Sequence, residues 1–483
     1  MYSSSPSRKT TSVLFATPEC APLVKTGGLG DVSAALPPAL REIGLDARVL
    51  LPGYPSVLTA NPTARETARI DVLGEPVRIL ESKLPSGVPL LILDAPRLYK
   101  RSGGPYQADD GEDWEDNARR FGVLSRAAAI LGSSQSPLPW KVDIVHCNDW
   151  QTALAPLYLR GMNGASRAAS VVTIHNLAFQ GTFDLADMPQ LQVPPEALGM
   201  EGLEFYGRAS FLKGGIVYAD AVTTVSPTYA REIQTQQLGF GLEGVLGMRA
   251  DRLFGVLNGI DTNAWNPETD PNIPEHYGVL TLERKLANKR ALKERFGLGG
   301  DDGVPLLAAV TRVTQQKGVD LITHAMPRIL QFPAQLVLVG AGDRRMIDEF
   351  KHAAERFPGQ VGLFVGFDEP LAHLVEAGAD IFLMPSRFEP CGMNQMYSQR
   401  YGTPPVVNAT GGLVDTVIDG ETGFLLEAPT VDALVQGVGR AIEAYCDAGN
   451  WRRLQANGMR RDFGWAEAAR SYSLIYDQLK SSA

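Results

Sequence analysis

The chain has 483 residues, of which 44% are hydrophobic and 20% are charged. This length exceeds what one hydrophobic core normally spans, so we expect at least two domains. The net charge of −9 argues against a general affinity for nucleic acid, and no apolar run reaches the ~18 residues that a transmembrane helix requires.

Short apolar runs alternate with helical patterns through the first half of the chain. The runs predicted as strands read SVLFATPE, DARVLLP, GVPLLILDAP, VDIVHCND, ASVVTIHN and DAVTTVS. They are almost wholly apolar, which is typical of strands that are covered on both faces. Helical patterns such as DVSAALPPALREIG and NARRFGVLSRAAAILG lie between them. This alternation predicts a parallel, doubly wound α/β sheet.

A second series of strands follows in the other half: PLLAAVTRV, AQLVLVGAG, VGLFVGF, DIFLMPS and PPVVNA. Between the two series, the segment NGIDTNAWNPETDPNIPEHY carries turn-forming residues and no clear period, so we place the crossover there. We therefore predict two Rossmann-like, doubly wound α/β domains that face a cleft, one over residues 1–260 and one over 261–460. In open α/β sheets, ligands bind beyond the carboxyl ends of strands.

The first such strand end carries a glycine-rich loop, residues 25–31, with the sequence KTGGLGD. Glycines let backbone N–H groups approach an anion, a helix N-terminus attracts negative charge, and Lys25 adds a point charge. The spacing is neither a Walker A motif nor GxGxxG. A plain glycine-rich turn with a solvated lysine explains this stretch equally well when it is taken alone.

Polar residues also follow two further strands of the first half. Asn148 and Asp149 come after VDIV, and His175 and Asn176 come after SVV. Each pair alone fits a bland interpretation, either a helix cap or a core histidine. Two successive strands that end in polar pairs are nevertheless unusual for a packed core, and they indicate a functional site.

The second half places cations and a carboxylate at strand ends. Arg312 and Lys317 follow one strand, and their spacing across a turn allows both to reach one diphosphate. Solvated surface cations are the alternative interpretation. Glu389 follows the strand DIFLMPS, either as a capping carboxylate or in contact with a sugar hydroxyl or a developing positive charge. The later stretch TGGLVDTV repeats the arrangement of glycines before a helix.

Seven stretches together resemble the bacterial glycogen synthases and plant starch synthases. They are KTGGLGDV, HNLAFQG, TVSPTYAREI, LNGIDTNAWNP, TRVTQQKG, SRFEPCGMNQMYSQRYGTPPVV and TGGLVDTV, in that family's order. The resemblance implies the GT-B fold, with a C-terminal helix over residues 461–483 that crosses back onto the first domain. It also implies transfer of glucose from ADP-glucose to the non-reducing end of an α-1,4-glucan such as glycogen, with retention of configuration and release of ADP.

The resemblance assigns roles to particular residues of this chain. Lys25, Arg312 and Lys317 match positions that contact the diphosphate, while Asp149, His175 and Glu389 match positions around the glucosyl ring; these six form the predicted catalytic group. Glu389 also counts among the donor contacts. The remaining matches are Gly28, Asn258, Cys391, Gly392 and Gly412 on the donor side, and Tyr106 and Asn176 on the acceptor side or elsewhere in the cleft.

The same resemblance implies no metal and no pyridoxal phosphate, and the chain has neither a CxxC pair nor an HExxH spacing. The expected partners are ADP-glucose and glucan, without nucleic acid or membrane. Unpaired cysteine spacing and an apolar stretch near the N-terminus that is too short for a signal peptide predict a cytoplasmic location. Three alternatives stay open: another retaining GT-B glycosyltransferase, a glucan phosphorylase, and a non-catalytic glucan-binding protein.

Overall fold

The computed structural model describes residues 10–162 and 167–481, which form two compact units. The first unit comprises the described residues within Met1–Val225, Ala230–Asn258 and Trp465–Ala483. The second comprises Ser226–Tyr229 and Gly259–Gly464. The chain thus passes between the units after residues 258 and 464, near the predicted limits at 260 and 460. A short excursion at 226–229 has no counterpart among the predicted limits.

The first unit is built on a nine-stranded sheet with the strand order β12-β11-β7-β6-β1-β2-β5-β4-β3, beside a small sheet β8-β10-β9. The strands are β1 Ser12–Ala16, β2 Asp46–Pro52, β3 Arg65–Val72, β4 Glu75–Lys83, β5 Pro89–Asp94, β6 Ile144–Asn148, β7 Ala169–Ile174, β8 Thr182–Phe183, β9 Glu204–Phe205, β10 Arg208–Ser210, β11 Ala221–Thr224 and β12 Leu253–Gly255. The runs predicted from the sequence coincide with β1, β2, β5, β6, β7 and β11.

Helices follow most strands of this unit. They are α1 Gly28–Glu42, α2 Pro55–Ala60, α3 Pro96–Tyr99, α4 Asn117–Leu131, α5 Ala155–Gly161, α6 Phe211–Tyr218, α7 Pro227–Glu232 and α8 Glu243–Met248. The C-terminal helix, Ala466–Ser481, belongs to this unit as well. The chain passes from the second unit back to the first within α7, between residues 229 and 230.

One edge of the large sheet corrects the prediction of a wholly parallel sheet. Strands β3 and β4 form an antiparallel hairpin, and β4 also pairs antiparallel with β5. The hairpin turns at Leu73 and Gly74, which have φ values of 56° and 78°. Residues along β3 are mostly exposed or half-buried, so the sequence here lacks the apolar runs that mark strands covered on both faces.

The second unit contains a six-stranded sheet in the order β15-β14-β13-β16-β17-β18, and every pairing in it is parallel. Its strands are β13 Leu306–Val310, β14 Gln335–Gly340, β15 Val361–Val365, β16 Ile381–Met384, β17 Pro405–Asn408 and β18 Phe424–Leu426. Its helices are α9 Lys285–Arg295, α10 Val319–Ile329, α11 Arg344–Ala354, α12 Glu369–Gly378, α13 Asn394–Arg400, α14 Gly411–Thr416, α15 Val431–Cys446 and α16 Ala448–Met459, and α17 is the C-terminal helix Ala466–Ser481. None of the helices within 10–162 and 167–481 is long and apolar enough to cross a membrane.

Each sheet has a topological switch point, where the chain adds strands on one side of a central strand and later on its other side. In the first unit, β1 lies between β2 and β6, and in the second unit β13 lies between β14 and β16. The loops that leave the two strands at such a switch point diverge, and the gap between them is where open α/β sheets bind ligands. The loops after β1, β6, β13 and β16 are therefore the places to look for function.

The crossover segment, residues 258–277, is predicted from the sequence to lack regular structure. It contains no helix or strand, and from Gly259 onward it packs against the second unit. Trp265 stacks between His373 and Tyr397, with ring centroids 3.8 and 3.9 Å away. The Asp270 carboxylate accepts hydrogen bonds from Tyr401 and His373, at 2.5 and 2.7 Å. Aromatic stacking and a buried polar network thus replace secondary structure in this segment.

The C-terminal helix α17 packs on the first unit through a buried polar chain. The Tyr476 hydroxyl lies 2.7 Å from Nδ1 of His146, whose Nε2 lies 2.6 Å from the Thr173 hydroxyl. Burial lowers the pKa of His146 to about 3, so the imidazole is neutral and donates through only one nitrogen. This chain joins α17 to β6 and β7.

Three buried lysines on α9 spaced four residues apart were not expected from the sequence. Lys285, Lys289 and Lys293 donate to backbone carbonyls of neighbouring loops. Lys289 also forms an ion pair with Asp380, at 2.7 Å. These ammonium groups satisfy carbonyls that would otherwise be buried without donors.

Candidate active site

The residues predicted to be functional fall into two sets, one in each unit. The first set lies in the loops after β1, β6, β7 and β12 and near Tyr106. The second set lies in the loops after β13, β16 and β17. Both sets therefore include the switch-point loops of their own sheet, where ligand sites are expected.

In the first unit, the glycine loop (residues 25–31) carries Lys25 into the start of α1. The Lys25 ammonium forms an ion pair with Asp31 at 2.7 Å, and its side chain remains 37% exposed. A side chain at Gly30 would stand 3.0 Å from Cγ of Lys25, so the glycine leaves room for the lysine to lie across the loop. Helix α1 starts at Gly28, whose N–H has no protein acceptor within the described ranges. The loop thus presents the Lys25 ammonium and the unbonded N–H of Gly28.

The same loop is organised by a residue that the sequence reasoning missed, Glu19. Its Oε2 accepts the N–H groups of Thr26 and Gly27, at 2.5 and 3.1 Å. Its Oε1 accepts the hydroxyl of Tyr106. The first N–H groups of the glycine loop are therefore occupied by a protein carboxylate and are not available to a phosphate. The position of Glu19, directly after β1 at the switch point, was the only signal in the sequence.

Asp149 directly follows β6 in a strained backbone conformation, with φ at +54°. Its Oδ1 accepts the backbone N–H of His175 at 2.7 Å. Burial raises the pKa of Asp149 to about 7, although backbone N–H groups from residues 175 and 176 favour the ionised form. A carboxyl group that titrates near neutral pH within a strained loop is a strong candidate for a functional group.

His175 is oriented by a second residue that the sequence reasoning treated only as a helix cap. The Nε2 of His175 lies 2.9 Å from Oδ1 of Asn148, and the Asn148 amide nitrogen donates to the carbonyl of Ala16 at 3.0 Å. The amide orientation makes Oδ1 the acceptor, so the proton of His175 resides on Nε2. Burial lowers the pKa of His175 to about 3, which keeps the ring neutral.

Two further predicted residues of this unit, Asn176 and Asn258, differ in their hydrogen bonding. The side chain of Asn176 accepts the N–H of Ala178 at 3.1 Å, as expected for a turn residue. Asn258 is 7% exposed, and its Oδ1 has no hydrogen-bond partner within the described ranges. Because buried polar atoms normally have partners, this oxygen is available to a ligand donor.

In the second unit, the loops after β13 and β16 bring two predicted residues into contact. The Lys317 ammonium and Oε2 of Glu389 are 2.5 Å apart, with their side chains 16% and 6% exposed. The same oxygen accepts the Ser386 hydroxyl at 3.0 Å. Arg312 is exposed, and its guanidinium forms no ion pair in the part of the chain that the structure describes. The site of this unit therefore combines one paired lysine with one unpaired arginine.

The glycines of this unit have a packing reason for their identity. A side chain at Gly411 or Gly412 would stand 1.9 Å from the carbonyl oxygen of Glu389 or 2.2 Å from that of Cys391. The N–H of Gly412 donates to the carbonyls of Glu389 and Pro390, at 3.1 and 3.2 Å. The glycines thus let α14 pack against the loop that carries Glu389. The predicted anion contact at Gly412 stays a prediction.

The adjacent residues Cys391 and Gly392 belong to the same packed loop. Cys391 is buried, and Gly392 has a φ of +70°, a conformation that favours glycine. The side-chain amide of Gln395 donates to both of their carbonyls, at 3.1 and 3.0 Å. No group of three or more metal-ligating side chains occurs among the described residues.

Comparisons with known proteins match both units. Residues 12–248 match the family described as starch synthase catalytic domain, and residues 291–458 match glycosyl transferases group 1. A glycogen synthase of Aromatoleum aromaticum is 55% identical, over 98% of this chain and 97% of that protein. A glycogen synthase of Nitrosomonas eutropha is 50% identical, over 99% of this chain and 98% of that protein.

Solved structures agree with these matches. The catalytic domain of starch synthase IV from Arabidopsis thaliana, bound to ADP and acarbose, superposes with a TM-score of 0.85 at 32% identity. That match covers 98% of this chain and 99% of the other. Sucrose-phosphate synthase from Thermosynechococcus elongatus, at 17% identity and a TM-score of 0.61, shares the fold. The predicted GT-B fold and the family resemblance are confirmed, and the chain belongs to the glycogen synthase and starch synthase family of glycosyltransferases.

Proposed function

We propose that this chain transfers glucose from ADP-glucose to the non-reducing end of an α-1,4-glucan such as glycogen, with retention of configuration and release of ADP. The observation that carries the proposal is the 55% identity to a glycogen synthase over 98% of the chain. A related structure bound to ADP and acarbose supports a nucleotide and an oligosaccharide as the two ligands.

In the second unit, we assign Arg312 and Lys317 to the diphosphate of the donor. Departure of the diphosphate places negative charge on its oxygens, and preorganised cations stabilise that charge more in the transition state than in the ground state. Arg312 is exposed and without an ion pair in the described part of the chain, so its guanidinium is available to a phosphate. Lys317 is already oriented by Glu389, which removes part of the entropy of ordering a long side chain.

Glu389 receives a double role in this proposal. It keeps Lys317 in position, and we assign its carboxylate to stabilising the positive charge that develops at the anomeric carbon when the glucose–phosphate bond breaks. The loop that carries it is rigid, because Ser386 and the N–H of Gly412 bond to the same residue. A carboxylate held in this way favours the transition state over the bound substrate.

In the first unit, we assign Lys25 to the diphosphate, and Asp149 and His175 to the hydroxyl groups of the transferred glucose. The neutral His175 ring and the Asp149 carboxylate, near its titration point at neutral pH, both suit hydrogen bonds to hydroxyls. The unpartnered Oδ1 of Asn258 offers one more acceptor. Gly28, whose N–H has no acceptor among the described residues, is a further candidate for a phosphate contact in the glycine loop.

Retention follows from attack of the glucan 4-hydroxyl on the face from which the diphosphate leaves. The bond from the anomeric carbon to the phosphate oxygen breaks, the new glycosidic bond forms on the same side, and a leaving phosphate oxygen takes the hydroxyl proton. We propose that no metal and no pyridoxal phosphate take part, because the cationic side chains named above supply the charge that a metal would provide.

The proposal includes a cytoplasmic location and no nucleic-acid or membrane partner. All four cysteines are free thiols, and three of them are buried, which suits a reducing compartment. Glucose transfer is tested by incubating the protein with glycogen and either ADP-glucose or UDP-glucose, while released nucleotide and incorporated glucose are measured. We expect ADP-glucose to be the better donor. Efficient transfer from UDP-glucose alone, or release of glucose 1-phosphate from glycogen with phosphate, would favour the other enzyme classes.

A further inference from the structure

Glu19 occupies a central position in the first unit that neither its sequence context nor the proposed reaction explains. It is 4% exposed, and no lysine or arginine forms an ion pair with it among the described residues. Its carboxylate accepts three hydrogen bonds, from the N–H groups of Thr26 and Gly27 and from the Tyr106 hydroxyl. All three bonds use it as an acceptor, which is the pattern of an ionised carboxylate.

The surroundings make a negative charge favourable at this point. Gly27 is the N-cap of α1 and has no side chain that could accept an N–H of the helix start. Glu19 instead accepts the N–H groups of Thr26 and Gly27, the two residues before the helix, so its carboxylate lies near the positive end of the dipole of α1. A buried carboxylate is therefore stabilised by two N–H groups, a hydroxyl and the helix dipole, without a cationic side chain.

We propose that Glu19 is a positioning residue: its carboxylate fixes the glycine loop that carries Lys25, connects this loop to Tyr106 and acts electrostatically on Asp149. The effect on catalysis rests on the proposed function, whereas the effect on the loop does not. Lys25 is adjacent in the chain to Thr26, whose N–H bonds to Glu19. A displacement of the loop therefore also displaces the Lys25 ammonium group. Small misplacements of a catalytic group can lower a rate by ~10²-fold.

The influence on Asp149 follows from the ionisable groups that act on it. These are Glu19 after β1, Tyr106 after α3, and His175 after β7. Burial raises the pKa of Tyr106 and lowers that of His175 to about 3, so both are neutral near pH 7. Burial is the main cause of the raised pKa of Asp149, and the negative charge of Glu19 raises it further. Glu19 is the one charged group among the three.

The first experiment follows the loop itself and does not need activity. In Glu19→Ala, amide hydrogen exchange at Thr26 and Gly27 should rise by about tenfold or more relative to the wild type, because both N–H groups lose their acceptor. Glu42→Gln, at the exposed end of the same helix, is the control and should leave these amides unchanged. Exchange at both amides that stays at the wild-type rate in the folded Glu19→Ala protein would overturn the proposal.

The second experiment separates the charge of Glu19 from its hydrogen bond to Tyr106. Tyr106→Phe removes that bond and keeps the charge, whereas Glu19→Gln removes the charge and leaves an amide that can still bond to the Tyr106 hydroxyl. Glu19→Gln should lower kcat by about tenfold to 100-fold and shift the midpoint of the pH–rate profile near 7 downward by on the order of 0.5 pH unit. Tyr106→Phe should leave the midpoint in place. A midpoint that is missing in the wild type or unmoved in Glu19→Gln would contradict the link to Asp149.

The two experiments also distinguish this inference from the proposed function. An inactive wild-type protein whose Glu19→Ala variant shows the faster exchange would contradict the glucosyl transfer and leave the positioning role supported. An active wild type whose Glu19→Gln variant has the same kcat would contradict the catalytic part of this inference alone. Thermal unfolding of each variant establishes that the compared proteins are folded.

Discussion

Replacing Glu389 by glutamine tests the charge at the site of the second unit. Glutamine has the same shape and can keep the bond to Ser386, but it removes the negative charge that lies 2.5 Å from the Lys317 ammonium. The two side chains are only 16% and 6% exposed, so solvent screens their interaction weakly. Loss of one preorganised group of this kind typically lowers kcat by ~10²–10³-fold, or ~3–4 kcal/mol.

We therefore expect Glu389→Gln to lower kcat by about 10²–10³-fold, while KM for ADP-glucose changes by less than about threefold. Steady-state release of ADP in the presence of glycogen measures both constants. Glu427→Gln, an exposed position in the same unit, is the matched control and should behave as the wild type. A variant with wild-type kcat and a raised KM would refute the transition-state role and make Glu389 a binding residue.

The pair itself is tested by combining this substitution with Lys317→Ala. Because Lys317 and Glu389 bond to each other, the loss of kcat in the double variant should be smaller than the product of the two single losses. Coupling of at least about 1 kcal/mol is typical of residues in one ion pair. Single losses that multiply without coupling would show that the two side chains act independently.

Five further predictions concern other features of the chain. Lys25→Ala should lower kcat/KM at least about 100-fold with no change in thermal unfolding, while Lys83→Ala, an exposed control in the same unit, should have no effect. Because the pKa of Asp149 is raised to about 7, activity should fall as the pH drops through that value, and Asp149→Asn should lack this inflection. The raised pKa also means that the wild-type free energy of unfolding decreases as the pH rises from 3.8 to about 7, a decrease that Asp149→Asn should not show in urea titrations. Lys285→Met should lower the free energy of unfolding by about 3 kcal/mol, since it leaves buried acceptors without a donor. EDTA should leave glucose transfer unchanged; loss of transfer that an added metal ion restores would refute the metal-free charge arrangement.

The central strands and their order of appearance could be predicted, because buried parallel strands leave apolar runs in the sequence. The β3–β4 hairpin could not be found in the same way. Its residues alternate between exposure and burial at the sheet edge, and its turn at Leu73 and Gly74 lacks the commonest hairpin dipeptides. The segment around Trp265 is a second case: its attachment depends on His373 and Tyr397, which are more than 100 residues away.

Part of the candidate site could also be predicted, because strand ends are identifiable from a sequence and polar residues there stand out. The contact between Lys317 and Glu389 agrees with that reasoning, since their loops follow the adjacent strands β13 and β16. The role of Glu19 could not be predicted in this way, because the N–H groups that it binds lie seven and eight residues further along a loop whose path the sequence does not show. The burial of Lys285 could not be predicted either, since lysine is rarely buried and no spacing rule identifies a buried lysine.

The central claim is most directly tested by adding purified protein to ADP-glucose and glycogen and following both products. The account predicts that ADP is released and that an equal amount of glucose is joined to the glucan in α-1,4 linkage, in the presence of EDTA. Hydrolysis of the glucan by a β-amylase, which removes maltose units from the non-reducing end by cleaving α-1,4 bonds, should release the newly added glucose as part of maltose. No release of ADP, or glucose joined in another linkage or configuration, would contradict the account.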